Sequence, residues 1–381
     1  MTQQPAASIS EHFEGVQDPR VACLVTHPLV NIMTITLCAV IAGADNWSEV
    51  ATFGEGKQAW LARFLDLSQG TPSHDTFSHV FARLDPEQLQ AGFISWAQAI
   101  YQRLTGEVVA VDGKKLRHSF DTAIEQPMIT MVSAWATEAE VVLGQVAVAE
   151  GSNEITAIPH LLRLLDLRGC IVTIDAIGCQ KEIAQQLVEQ EADYLLAVRG
   201  NQERLLTDIE LLFRLADQND YAKVDCTYAH TVNKGHDRIE VRHCWAIAGQ
   251  ESLSFLQDYE AWPKLRTVIR IDTERHVGQT VTRQSRYYIS TLPNDAEHLL
   301  QVKRSHWAIE NGLHWVLDVA FREDDSRVRK GNGPRNLALF RHMAVTLLKQ
   351  EKTAKGGIHN KRMQAAWNEQ YLVKVLSSGM R

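Results

Sequence analysis

The sequence predicts an α/β protein built on a mixed sheet with a β-rich insertion, preceded by a small all-α N-terminal domain. Three observations predict this. Helical periodicity holds from residue 9 to about residue 104. Beyond it, β-branched runs alternate with helical stretches, the pattern of a partly parallel sheet. A strand-dense block at 220–292 then interrupts the alternation before helices resume. The expected division is 1–104 for the helical domain, 105–350 for the sheet-bearing domain with its insertion, and 351–381 for a basic tail with a short helix.

In the first part, Ser10 is placed as a helix cap, Leu29–Ala42 as a core helix ended by Gly43, and Ser48–Leu65 as a helix weakened by Gly54 and Gly56. Pro72 and Ser73 open the next helix, which carries Phe77, Val80, Phe81 and Leu84 on one face. A last helix covers Pro86–Leu104. Such a bundle, with a helix-turn-helix-like pair, suits either DNA binding or packing against a second copy.

EVVAVDG (107–113), MITMVSAWA (128–136) and VVLGQVAVA (141–149) read as the first strands. CIVTIDAIG (170–178) is apolar throughout, as expected of a strand buried on both faces, and DYLLAVRG (193–200) follows as another. Helices Glu154–Leu165, Gln180–Gln190 and Gln202–Asp217 fall between or after these strands, with Asn201 as the expected cap of the third. In the insertion, a period of two puts Arg238, Glu240 and Arg242 on one face. Lys303–Lys330 reads as one long amphipathic helix. Its positions His306, Glu310, His314 and Asp318 form a four-residue-spaced ridge, flanked by Trp307, Ile309, Leu313, Trp315 and Leu317. A final core helix spans Arg335–Lys349.

The 381 residues carry a net charge of −7, which argues against a nucleic-acid binder that is basic overall; any such surface must be local. Local basic clusters exist at Lys114, Lys115 and Arg117, at Arg322, Arg327, Arg329, Lys330, Arg335 and Arg341, and at Lys361 and Arg362. Six scattered cysteines form no CxxC pair or zinc spacing, and no targeting segment is visible, so a reducing cytoplasm is expected. The longest apolar run, Leu29–Ala44, contains Asn31, Thr34 and Thr36 and falls short of the roughly 20 residues a membrane span needs. No membrane partner is expected.

Asp112 lies near the end of one predicted strand, followed by Gly113, and Asp175 sits late in another. An ionised Asp among Ile and Val is destabilised by desolvation unless something compensates it. If the two strands are neighbours, both carboxylates emerge at one end of the sheet, and Glu310 on the long helix could close a group of three. Three mutually repelling carboxylates are stable together when divalent cations neutralise them. All-oxygen donors favour two Mg2+ or Mn2+ ions acting on one phosphate. Asp318, Glu323 and Asp324 are rival third acids. A strand-end turn or a helix cap is the alternative reading of each Asp.

VVAVDGKKLRHS, EGSNEITAIPHLL, TIDAIGCQKEIA, DYLLAVRGNQ, RYYIS and HWAIENGLHWVLDVAFREDDSR occur in this order, preceded by DPR, ITLCAVIAGADNW and PSHDTF. The set resembles the H-repeat-associated branch of the DDE insertion-sequence transposases, over roughly residues 9 to 375. The resemblance implies a ribonuclease H-like catalytic domain, with Asp112, Asp175 and Glu310 as the metal-binding triad. It also aligns the Glu310 helix with a related group's signature of tyrosine, arginine, glutamate and lysine. Here Lys303, His306 and Leu317 stand where that signature has tyrosine, arginine and lysine.

Supporting positions follow from charge and placement. Lys114, two residues past the first acid, could meet a phosphate, and so could Arg199 with the free N–H groups at the helix start near Asn201 and Gln202. His306 and His314 suit DNA contacts or hydrogen bonds to the acids rather than metal ligation. Trp307 and Trp315 read as core more readily than as base-stacking platforms. Arg327, Arg329, Lys330 and Arg335 could track a DNA backbone. The expected activity is cleavage of element ends in double-stranded DNA and transfer of the 3′-OH strand to target DNA, carried out by a homo-oligomer such as a dimer. The alternatives are a metal-dependent nuclease without strand transfer, and an inert DNA-binding remnant of a mobile element.

Overall fold

Nine strands lie among the residues that the computed structural model describes, which are 5–101, 106–120, 127–235 and 238–378. They are β1 (Val108–Leu116), β2 (Ile129–Ala136), β3 (Val141–Ala147), β4 (Ile171–Ile174), β5 (Asp193–Val198), β6 (Asp225–Gly235), β7 (Arg238–Ala248), β8 (Thr267–Val277) and β9 (Thr280–Ser290). The chain divides into two units. One takes residues 104–112 and 154–309; the other takes 1–103, 113–153 and 310–381. The expected boundary at 104 and 105 lies outside the described residues.

In the unit holding 154–309, the strand order is β1-β4-β5-β9-β8-β7-β6. β1, β4 and β5 are parallel, with Val108–Val111 opposite Ile171–Ile174 and those opposite Asp193–Leu196. Their apolar runs are buried, as central parallel strands require. The insertion does not stand apart from this sheet. β9 pairs antiparallel with β5 over Tyr287–Ser290, and β6 to β9 continue as an antiparallel meander. Helix Ala296–Ile309 packs on β4, β6 and β7, where Leu299, Leu300 and Val302 join Ile171, Leu195, Cys244 and Ile269 in one core. This is the mixed α/β sheet with a β-rich insertion that the sequence led us to expect.

In the other unit, β3 and β2 are antiparallel and lie in the order β3-β2-β1, β1 contributing its last residues, Gly113–Leu116. Helix Gly333–Gln350 is its axis. It is almost wholly buried, including its polar Asn336, Arg341, His342 and Thr346, because neighbours enclose it. It packs on helices Leu29–Ile41, His74–Arg83 and Pro86–Ile100 and on β3. Asn336 fixes the contact by donating to the carbonyls of Phe81 and Leu84 at 2.8 and 3.1 Å, and the Phe81 and Phe340 rings meet edge-on at 5.1 Å.

Several local expectations change. Ser10 sits inside helix Pro5–Phe13 instead of capping it. Ser48–Leu65 breaks at Lys57 into Trp47–Gly56 and Gln58–Leu61; the cap is Asn46, whose side chain accepts the Glu49 N–H. Ser73 does cap His74–Arg83, accepting from Thr76. β1 runs four residues past Asp112, to Leu116. The tail folds as two helices, Ile358–Trp367 and Glu369–Ser377, and its Lys361 and Arg362 are buried. Lys361 donates to the Leu348 carbonyl and Arg362 to that of Val40, each at 2.9 Å, so neither is a surface charge. No helix among the described residues is long and apolar enough to cross a membrane.

Candidate active site

Asp112 and Asp175 each follow the last paired residue of adjacent parallel strands, since Val111 lies opposite Ile174. Asp175 therefore stands at the carboxyl end of β4, where open α/β sheets place their ligands, and Asp112 lies within β1 at the point where its pairing with β4 stops. Asp175 roots the 3-10 turn Ala176–Gly178. Its Oδ1 accepts the Ile177 N–H at 3.1 Å and its carbonyl accepts the Gly178 N–H at 3.2 Å. Gly178 is required there for space: a Cβ would lie 2.3 Å from Ile174 Cγ2.

The turn after β5, Gly200–Gln202, reaches across to the turn after β4. Asn201 Nδ2 donates to the Ala176 carbonyl at 2.6 Å, and Gln202 Nε2 to the Cys179 carbonyl at 2.9 Å. Asn201 is thus not the helix cap the sequence suggested. The helix starts at Glu203, and the Asn201 amide is engaged with another turn. Arg199 is exposed beside it.

The expected single helix over Lys303–Lys330 is three pieces: Ala296–Ile309, a π turn Glu310–His314, and Trp315–Ala320, with a 3-10 turn Glu323–Asp325 beyond. A π turn adds a residue per turn, so the four-residue ridge through His306, Glu310, His314 and Asp318 is broken at Glu310. Such turns concentrate at functional sites. His306 Nδ1 and Thr173 Oγ1 lie 3.0 Å apart, tying the helix to β4 two residues before Asp175. At the π turn, the Glu310 side chain is 55% exposed and its Oε2 lies 3.7 Å from Nδ1 of the buried His314, an acid and imidazole pair able to offer ligand atoms. Gly312 of the same turn packs on the Trp135 ring.

Lys114 has a different setting from the one expected of a phosphate contact. Its side chain is 11% exposed, and its Nζ lies 2.7 Å from Asp318, 3.2 Å from Asp324 and 3.3 Å from Glu323. Burial lowers the lysine's pKa, but Glu323 and Asp318 outweigh it, and the net shift is upward. Glu323 is buried and also meets Arg341 at 3.5 Å; despite burial, Arg341 and Lys114 hold its carboxyl below the ordinary range. Arg117 binds Asp324 at 3.0 Å. The three rival third acids are therefore paired internally with cations.

Among the other basic positions, Arg327 and Lys330 are exposed and Arg335 is half-buried at the start of helix Gly333–Gln350. Arg329 donates to the His118 carbonyl at 3.0 Å and stacks over Phe120. Trp307 and Trp315 are 54% and 59% exposed, against the expectation that they pack in the core. Sequence reasoning missed Thr173, and it placed Gln202 at a phosphate seat, whereas its side chain donates to the Cys179 carbonyl. Thr173 was findable, since a period of two puts it on the same strand face as Asp175.

The fold is that of a mixed α/β protein whose parallel strands β1, β4 and β5 are extended by an antiparallel meander. The chain belongs to the transposase family described as Transposase DDE domain, whose model matches residues 103–347; a second model, DDE_Tnp_1-associated, matches residues 10–97. It is 39% identical over 372 residues to YncI of Escherichia coli O157:H7, a protein named as a transposase, covering 97% of this chain and 95% of that one. It is 37% identical over 376 residues to YhhI of Escherichia coli K12, named as an H repeat-associated transposase, covering 97% of each. The resemblance to the H-repeat-associated branch is borne out. Among solved structures, a piggyBac transposase synaptic complex with hairpin DNA matches with a TM-score of 0.42 at 10% identity, over 98% of this chain and 77% of that one.

Proposed function

We propose that the chain is a DNA transposase that cleaves the ends of an insertion-sequence-like element and joins the freed strand to target DNA by two-metal phosphoryl transfer. What supports this reading is the placement of Asp112 and Asp175 directly after paired residues of adjacent parallel strands, in a chain of the DDE family. Asp112, Asp175 and Glu310 are the proposed metal-binding acids. Their hard oxygen donors suit Mg2+ or Mn2+. Two such ions, when bound, would neutralise the acids and polarise the scissile phosphate.

The chain's own part is positioning. His306 anchors helix Ala296–Ile309 on β4, and the Ile177 N–H bond orients the Asp175 carboxylate. Water attack at the element end would release a 3′ hydroxyl, which then attacks target DNA; no covalent protein intermediate is involved. Exposed Arg199, Arg327 and Lys330, with Arg335, would hold the phosphate backbone. Lys114 and Arg329 have internal partners and act on structure in this reading. Residues 1–104 would bind element ends or a second protomer, residues 105–350 would carry the chemistry, and two copies would bring two DNA ends together.

The test is cleavage and joining of a labelled duplex carrying the native element end, with Mg2+ or Mn2+. Wild type is compared with Asp112→Ala, Asp175→Ala, Glu310→Gln and Asp318→Asn. The reading expects the first three variants to lose metal-dependent cutting and Asp318→Asn to keep it. Joined products separate a transposase from a nuclease. Bound but uncut DNA in every case would support an inert remnant, and cutting that survives Glu310→Gln would move the third acid elsewhere.

A further inference from the structure

The GNQ stretch that follows β5 is the sequence motif that the phosphate-contact reading leaves unexplained. Its two amide side chains point at carbonyls of the neighbouring turn. Asn201 Nδ2 lies 2.6 Å from the Ala176 carbonyl, which also accepts the Cys179 N–H at 3.2 Å. Gln202 Nε2 lies 2.9 Å from the Cys179 carbonyl, and the Gln180 amide returns to the Ile177 carbonyl at 3.2 Å. Every one of these bonds falls within the five residues after Asp175. The same turn is pinned from within by the Ile177 N–H on Asp175 Oδ1, and from below by the contact of Gly178 with Ile174.

We propose that Asn201 is a positioning residue for Asp175, acting through the Ala176–Gly178 turn, with Gln202 as its second anchor. This rests on the reading of Asp175 as a metal-binding acid. The physical argument is one of tolerance. A metal ligand must be held within about 0.5 Å of its working position, and groups that orient a ligand typically govern metal affinity by about 10–100-fold. Ala176, Gly178 and Cys179 of the turn are buried, but Asp175 at its start is exposed, so its carboxylate depends on how the turn is held. Two side-chain donors from the next strand end supply what the backbone lacks. The amide is needed as a donor, so a carboxylate of the same shape would fail.

The test measures Mn2+ binding to the full chain by electron paramagnetic resonance, for wild type, Asp175→Ala, Asn201→Ala, Asn201→Asp and Gln202→Ala. DNA affinity without metal and the thermal midpoint of the metal-free protein are measured beside it. Asn201→Ala should weaken Mn2+ binding by about 10–100-fold, with Asn201→Asp at least as weak and Gln202→Ala intermediate. DNA affinity should stay within about twofold of wild type for Asn201→Ala and Gln202→Ala. Wild-type Mn2+ affinity in Asn201→Ala, whatever its midpoint, overturns the proposal. So does a loss of DNA affinity with Mn2+ binding intact, which would return Asn201 to a phosphate contact. If Asn201→Ala does not fold, the same criteria apply to Gln202→Ala. Unchanged Mn2+ binding in Asp175→Ala would instead overturn the metal reading of Asp175.

Discussion

The Lys114 ammonium sits 2.7 Å from the Asp318 carboxylate, and this pair decides how both residues are read. Glu323 and Asp324 share the same cation, and Glu323 is buried. Removing one partner of such a group strands the others: Lys114→Met should cost about 3 kcal/mol, the lower end for a broken buried pair because Asp318 stays partly solvated. Urea unfolding measures this. The salt dependence of DNA binding should keep its slope, whereas loss of a true phosphate contact would reduce that slope by about one.

Lys303 gives the protein a pH signature. Burial first, then the charges of Arg286 and Arg242, hold its ammonium down to about 8. Between that value and the ordinary lysine range near 10.5, the unfolded chain keeps a proton that the folded chain releases. Stability should therefore rise with pH across this window, and the penalty for the buried charge is fully present below it. Lys303→Met removes the penalty at neutral pH, worth up to roughly 3 kcal/mol, and should flatten the difference from wild type above the window. Urea midpoints for both proteins from neutral to alkaline pH measure it; a constant difference between them would mean that Lys303 is not the titrating group.

Much of the fold could be read from sequence because strands announce themselves locally. CIVTIDAIG is apolar to its end and then polar, so a strand closed by an acid follows directly, and β1 beside β4 supplies the pair. The π turn at Glu310 could not be read this way. No residue type demands it, and ENGLH fits an ordinary helix equally well. That one extra residue per turn is why the projected ridge failed. Lys114's partners were hidden for another reason, since Asp324 lies 210 residues away in sequence and only folding shows that a lysine late in β1 meets acids after the Glu310 helix. The same distance effect joins residues 1–103 with 310–381 through Asn336, Phe81 and Arg362.

Trp315 is exposed one residue beyond the π turn, with Val319 exposed four residues later on the same helix. An exposed side chain contributes little to folding, so Trp315→Ala should leave the unfolding free energy within about 0.5 kcal/mol of wild type. If the ring stacks on a base of bound DNA, the same change should weaken DNA binding by about 1–3 kcal/mol and remove part of the DNA-induced fluorescence quenching. Unchanged DNA binding with a shifted sedimentation coefficient would assign the patch to contact between protomers instead.

Gly178 tests the turn at Asp175 from the opposite side to Asn201. Its backbone is not left-handed, so an alanine is conformationally allowed. The obstacle is space, with Ile174 Cγ2 at 2.3 Å and Ile158 Cδ1 at 3.1 Å from where a Cβ would sit. Ile174 is locked in register opposite Val111, so the turn is the softer partner and should move. Overpacking of this kind costs about 1–3 kcal/mol, which Gly178→Ala should show in urea. Because the displaced atoms include the Ala176 carbonyl that Asn201 binds, Mn2+ affinity should fall in the same variant. A stability loss with Mn2+ affinity intact would mean that Ile174 yields instead, and that the carboxylate of Asp175 keeps its place without help from the floor of the turn.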